Sequence, residues 1–384
     1  MAGGGTVTCV DVYDENHAPF SSCPGSAAVP TASPLAESWQ WSSADPMTVA
    51  RTYHTASLLP DGRVLLVGGY TQPDVDTAIV EIYDPTSGVY RSAGSLNTAR
   101  HGHTATVLSD GRVLVVAGYH EGWLSDAEIY DFATGQWSIS QPIFAHGTAH
   151  LTALLEDGRV LVMAGDKQSG SSGSDDRVEI FDPKTDRWQP AAPHENAGGS
   201  STATLLADGR VLIAGGNVDP SIYDPVNDTW QPAGHLAMDR WRAQAVRLQD
   251  GRVLLIGGAL VAQAPPILNS VEIYDPASNT WRQAAPLAQA RCSHTATLLP
   301  DGRVLVTGGS RLWDYSWDDP ESFLSSVELY DPVGDTWGTL PPLRQGRADH
   351  TATLLPDGRV FVTGGWAAHY TILDSVAILA LEGR

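Results

Sequence analysis

Seven residues ahead of each of seven Asp-Gly-Arg-Val tetrads stands a position that is histidine five times: His54, His103, His150, His294 and His350, against Ser201 and Ala243 in the other two copies. Three residues earlier the same register carries Arg51, Arg100, Arg240, Arg291 and Arg347, with Gly147 and Gly198 completing the set. Just before the histidine position come Tyr53, Gly102, Ala149, Ser200, Arg242, Ser293 and Asp349. Neutral imidazoles suit copper, zinc or iron, and guanidinium groups bind carboxylates through two parallel hydrogen bonds. On a catalytic reading, His54, His103 and His350 are the first metal ligands, with His150 and His294 behind them. Tyr53, Arg51 and Arg100 would then act on the substrate, and Arg291, Arg347, Trp241 and Trp313 would hold it. The same residues have a plainer use, in which the imidazoles satisfy backbone groups between repeats and the arginines bridge them. Five histidines on seven repeats cannot all reach one ion, and both readings stay open at this point.

What must position these residues is the repeat itself. The tetrads begin at Asp61, Asp110, Asp157, Asp208, Asp250, Asp301 and Asp357, at intervals of roughly fifty residues, the period of blade-like β units. The copy from Arg291 to Trp337 shows the unit. His294 to Leu299 alternates apolar and polar residues as a strand does. Pro300-Asp301-Gly302 is a tight turn, and Arg303 to Thr307 is a second strand closed by Gly308-Gly309. Ser326 to Tyr330 is a third strand, and Asp331-Pro332 turns the chain into a fourth carrying Trp337. An aromatic recurs six residues after each such Asp, at Tyr90, Trp137, Trp188, Trp230, Trp281 and Trp337, a placement that fits blade-to-blade packing. Seven four-stranded antiparallel units make an all-β, seven-bladed propeller.

The seventh copy lacks its fourth strand, and the missing piece stands at the other end of the chain. Trp41-Ser-Ser-Ala-Asp-Pro-Met47 to Arg51 matches Trp281 to Arg291 position for position. Residues 37–47 are therefore expected to join the sheet of 358–379, closing the ring and removing exposed edges. Strand alternation places the histidine positions and the loops between second and third strands on one face. Those loops vary from Asn217–Pro220 to Ser310–Leu324, and function on a rigid scaffold is expected where loops differ. The long loop sets Trp313, Tyr315, Trp317 and Phe323 among acidic residues, as a lid, a carbohydrate platform, a protein contact or a self-packed segment.

Composition narrows the partners. The net charge is −21 and the only lysines are Lys167 and Lys184, which argues against nucleic acid and anionic membrane surfaces. A small molecule, or a protein or glycan on the variable face, is the expected ligand of a monomer. The domain reading is an arm over 1–34, rich in Ser, Pro, Ala and Gly, and a propeller over 35–384. Three cysteines are too few for a disulfide scaffold; Cys9 and Cys23 could pair, leaving Cys292 free. No signal peptide or membrane-spanning run is read, so a cytoplasmic protein and a trimmed exported one both fit.

The Gly-Gly pairs followed by spaced Tyr and Trp resemble the kelch repeat, over about 35–384. Within that group, Arg51-Thr-Tyr53-His54, followed by Pro60-Asp-Gly-Arg-Val64, is most similar to the propeller of galactose and glyoxal oxidases. The resemblance implies that Tyr53 and His54 match an axial tyrosine and one histidine ligand of a copper-radical site. Such a site also needs a second tyrosine, cross-linked to cysteine, at the equivalent position of another blade. Here those equivalents are Gly102, Ala149, Ser200, Arg242, Ser293 and Asp349, and Cys292 lies one position off. The oxidases' last histidine belongs to a C-terminal domain not found within these 384 residues. Two function classes are carried forward. One is a metal- or His/Arg/Tyr-dependent enzyme with lyase, isomerase, cyclase or oxidase chemistry on a small polar molecule, and the other is a non-catalytic binding propeller.

Overall fold

The computed structural model describes residues 38–71, 75–140, 150–164, 176–194, 200–216, 219–260, 266–313 and 319–381. The expected arm over 1–34, with Cys9 and Cys23, lies outside them, as do Ala149, Gly147, Gly198, Tyr315 and Trp317.

Seven four-stranded antiparallel sheets form the propeller. Blade 1 runs Thr55–Leu58, Val64–Val67, Ile79–Asp84 and Val89–Ser95 from inner to outer strand. The next five blades repeat that order along the chain. Blade 7 takes its inner three strands from Thr351–Leu354, Val360–Thr363 and Val376–Leu381, and its outer strand from Trp39–Ala44. The closing register runs from Trp39 opposite Leu381 to Ala44 opposite Val376, as the match between Trp41 and Trp281 requires.

Local chemistry explains each unit. At every tetrad the Asp carboxylate folds back on its own turn: Asp61 accepts from the Arg63 backbone N–H at 3.1 Å and from its Nε at 2.5 Å. Gly62 between them takes φ +87°, which other residues resist. Arg359 then donates to the Pro85 carbonyl of blade 1, and Arg159 to Pro225 of blade 4. Much of the acid in the sequence is thus architectural.

Second strands such as Val64–Val67 are buried on both faces, because each is packed between two neighbouring sheets. Leu114, Val116 and Ile129 of blade 2 share one apolar cluster with Val160, Val162 and Phe181 of blade 3. The outer-strand tryptophans tie blade to blade as expected: Trp137 Nε1 donates to the Ala93 carbonyl, Trp281 to Ala233 and Trp337 to Ala285. Trp41 does the same to Pro341 at 2.7 Å, so the closing seam is built like the others.

Candidate functional site

The arginine register turns inward and leaves the channel. Arg51, Arg100, Arg240 and Arg291 are fully buried, and Arg347 is 3% exposed. Four of them pair with a third-strand glutamate: Arg51 with Glu81 at 2.7 Å, Arg100 with Glu128 at 2.8 Å, Arg240 with Glu272 and Arg291 with Glu328 at 2.5 Å. Each also donates to the carbonyl closing its blade's second strand, such as Gly68, Ala117 or Gly308. Arg51, Arg100 and Arg291, expected at the site, and Arg347 beside them thus lie inside their blades, away from the channel. The charge of the first three is matched there by glutamate, as a buried guanidinium requires.

The histidines fill the seams between blades. His54 Nε2 lies 3.1 Å from Thr363 Oγ1 and 3.2 Å from Thr351 Oγ1, both on blade 7. His103 Nε2 meets Thr55 at 3.0 Å, His150 meets Thr104 at 2.9 Å, and His350 meets Thr295 and Thr307 at 3.1 Å. A Cβ on Gly308 would lie 2.8 Å from His350 Cε1 and 2.6 Å from the Arg347 carbonyl, so the Gly-Gly pairs make room for the next blade. Blade 5 carries Gln244 and Ile256 where the other seams supply threonine, and both ring nitrogens of His294 lack a hydrogen-bond partner among the described residues. Burial pushes the His54, His103 and His294 pKa values well below the ordinary range, and His350 to about 3. The imidazoles are neutral, but they point to separate seams and do not converge. Among the described residues no three His, Cys, Asp or Glu side chains are grouped to hold a metal. The five histidines expected as a ligand set thus stand at separate inter-blade seams.

What does converge is the register just before the histidines. Tyr53, Ser200, Arg242, Ser293 and Asp349 all adopt left-handed backbone with φ between 50° and 61°, and Gly102 joins them at φ 61°. Such a conformation is costly for residues with a Cβ, and it recurs at every described mouth position. Backbone bonds link neighbours around the mouth: Gly102 N–H to the Tyr53 carbonyl at 3.0 Å, Ser293 to Arg242 at 3.2 Å and Asp349 to Ser293 at 3.1 Å. All six border one cavity of about 690 Å³, together with Trp241, Trp313, Gln244 and His101. The Arg242 guanidinium lies over Trp313, 4.5 Å from the ring centroid, and Trp241 sits 5.4 Å from the same ring. Tyr53, Trp241 and Trp313 are thus brought together. The rings of His54, His103 and His350 only edge the cavity.

The sequence reading missed His101 and Asp76. A short ribbon pairing Tyr70–Thr71 with Val75–Asp76 presents the Asp76 carboxylate. It meets His101 Nδ1 at 2.5 Å and His120 Nδ1 at 3.0 Å, with Asp76 nearly buried and the two imidazoles partly exposed. Tyr53, Tyr70 and Tyr119 surround the His101 ring at centroid distances of 5.9, 5.4 and 5.5 Å. An Nδ1–H bonded to carboxylate fixes the tautomer that leaves the Nε2 lone pair free. Beside His101, burial and the neighbouring Asp349, to which its hydroxyl is hydrogen-bonded, push the Tyr53 pKa up, so its phenol stays protonated.

The Kelch motif profile matches residues 99–142, 241–288 and 291–344. Three stretches of the seven-bladed propeller thus carry Kelch motifs. Human Kelch-like protein 25 is 30% identical over 110 residues, 29% of this chain and 18% of that protein. A galactose oxidase of Gibberella zeae is 40% identical over 88 residues, 23% of this chain and 13% of the oxidase. The kelch propeller thus matches less than a quarter of the length of either relative. A solved structure titled as a novel fungal alcohol oxidase of the AA5 family, in complex with copper, superposes with a TM-score of 0.72. It is 18% identical and covers 90% of this chain and 77% of its own. The kelch propeller therefore resembles the galactose oxidase group in fold.

The copper chemistry of that neighbour was tested against the donors present here. The His54 Nε2 is occupied by two threonine hydroxyls. Cys292 is buried and free, its thiol pushed up to about 12 by burial, and the mouth positions offer no second tyrosine among the described residues. The donor set does not fit a copper-radical centre.

Proposed function

We propose that the channel-mouth cavity binds a small, hydroxylated, anionic molecule and acts on it by redox-neutral proton transfer. The Asp76–His101 pair at the cavity wall carries this reading. His101 Nε2 accepts a proton from a ligand O–H or activated C–H, while Asp76 orients the ring and stabilises the imidazolium that forms. Tyr53, whose single hydroxyl hydrogen goes to Asp349, presents its phenolic oxygen as an acceptor for a ligand hydroxyl. Arg242, backed by Trp313, pairs with the ligand's anionic group, and Ser293 and Gln244 offer hydrogen bonds to hydroxyls. Isomerase or lyase chemistry fits such an acid–base pair, and no metal is assigned a role.

A second reading is a binding module whose variable face takes a protein or glycan. It is supported by the match to Kelch-like protein 25, which runs through repeat sequence. Calorimetry with a panel of small hydroxy acids and uronic acids separates the two. Saturable binding that weakens about tenfold or more in Arg242→Gly, with turnover lost but binding kept in His101→Gln, supports the enzyme. The absence of any small-molecule binding, with a purified protein or glycan partner whose affinity falls in Trp313→Ala, supports the module.

A further inference from the structure

Four of the five inner-strand arginines meet a third-strand glutamate, and the fifth does not. Arg291 sets the pattern: Nη1 donates to the Gly308 and Ser326 carbonyls, and Nη2 to Ser326 Oγ and Glu328. The Glu328 carboxylate also accepts from the backbone N–H groups of Ala288 and Gln289, three and two residues before the arginine. Glu81 does the same for Thr48, Glu128 for Asn97 and Thr98, and Glu272 for Ala237. In each of these four blades one carboxylate thus neutralises a buried guanidinium and caps the incoming loop.

In blade 7 the register sets Ala377 opposite Val362, where blade 6 sets Glu328 opposite Val306. Arg347 keeps the other bonds, to the carbonyls of Gly364 at 3.0 Å and Ser375 at 3.2 Å and to Ser375 Oγ at 2.9 Å. The Nη2 hydrogen that Arg291 gives to glutamate meets no carboxylate among the described residues. The backbone N–H groups of Arg344 and Gln345, the counterparts of Ala288 and Gln289, find no acceptor among the described residues. Protein does not fill the space: a cleft of about 350 Å³ lies there, bordered by Arg344, Gln345, Arg347, Ser42, Ser43 and Ala377. Asp374 also borders it, but is exposed and forms no ion pair with either arginine among the described residues. Burial pulls the Arg347 pKa down to about 10, with no anion beside it to oppose the shift.

We propose that this cleft, at the ring-closure seam and separate from the channel mouth, is a carboxylate-binding site. A small carboxylate takes the seat that glutamate fills in the other blades. It accepts from Arg347 Nη2 and from the Arg344 and Gln345 backbone N–H groups, with the exposed Arg344 guanidinium at the rim. Charge-assisted bonds of this kind are the strong ones, and a buried guanidinium left unmatched is costly.

The test is thermal unfolding of the full chain with acetate replacing chloride at constant ionic strength. Wild type should show a saturable rise in melting temperature with acetate, because a ligand of the native state stabilises it. Ala377→Glu supplies the carboxylate from within; it should melt about 2 °C or more higher in chloride and lose the acetate increment. Identical wild-type curves in acetate and chloride, or a full increment retained in Ala377→Glu, would overturn the site. Should that variant fail to fold, Arg344→Ala decides. It should melt as wild type in chloride while its acetate midpoint rises about threefold, and an unchanged midpoint rejects the proposal.

Discussion

The seam histidines make stability steeply dependent on pH. His54, His103, His294 and His350 are each 6% exposed or less. Burial first, and then the guanidinium at the head of each inner strand (Arg51, Arg100, Arg291 and Arg347), holds their pKa values well below the ordinary 6.5. A folded-state pKa below the unfolded one means the unfolded chain binds more protons between the two values. Stability is therefore fully present above about pH 6.5 and is lost as pH falls below it. Each such group forfeits on the order of 1 kcal/mol at pH 5.5, so the four together forfeit several kcal/mol, a large part of the roughly 5–15 kcal/mol typical of a native protein. Urea unfolding from pH 8 down to pH 5.5 measures this, well above the range where most carboxylates titrate. His294 supplies the internal control, because neither of its ring nitrogens is satisfied. His294→Leu should be neutral or up to about 1 kcal/mol more stable at pH 7.5, and should remove about a quarter of the acid loss. A wild type equally stable at both ends of the range, or an unchanged pH slope in His294→Leu, would refute the reasoning.

Two further outcomes are expected. Trp41→Ala removes the indole bond to Pro341 and a half-buried ring at the closing seam, and should cost about 2 kcal/mol; deleting 1–47 strips Val376–Leu381 of its outer partner and leaves it an exposed edge held only by Val360–Thr363, and should abolish the cooperative melt. Arg242→Gly relieves a left-handed backbone at φ 53°, worth about 1 kcal/mol, against a comparable gain in unfolded-chain entropy. Its melting temperature should stay within about 2 °C of wild type, and a large drop would show that the mouth arginine is structural.

The fold was legible because every blade repeats the same turn chemistry, and because Trp41 sits in the same frame as Trp281. The site was much less so. The features that caught the eye, histidine and arginine at fixed spacing, recur because each seam and each blade must be satisfied separately. A demand repeated around a ring produces scaffold, whereas a binding site needs asymmetry. The signal for His101 was a break in register: its counterparts are Thr52, Trp241, Cys292 and Ala348, so an imidazole there answers no shared need. Its partner Asp76 comes from a ribbon whose counterpart in blade 7, Trp366–Ala367 with Thr371–Ile372, carries Ile372 at that place, and only the folded ribbon brings His101 and Asp76 together. Ala377 was readable in the same way, as the third strand that lacks its acid while keeping Arg347.

The closing pairing also fixes how the ring responds to force. Trp39 and Leu381 are partners at one end of the last two strands of blade 7, and Ala44 and Val376 at the other. Tension applied through the segments before Trp39 and after Leu381 therefore pulls the strands apart like a zipper. The backbone bonds are loaded one after another, and the load is not shared along the strand as it would be in shear. Opening begins beside the Asp301 and Asp357 turns, which border the same hollow as Trp39 and Leu381, and travels toward the loop face. A ring closed around seven packed seams is, pulled by its ends, only as strong as one pair of bonds at a time.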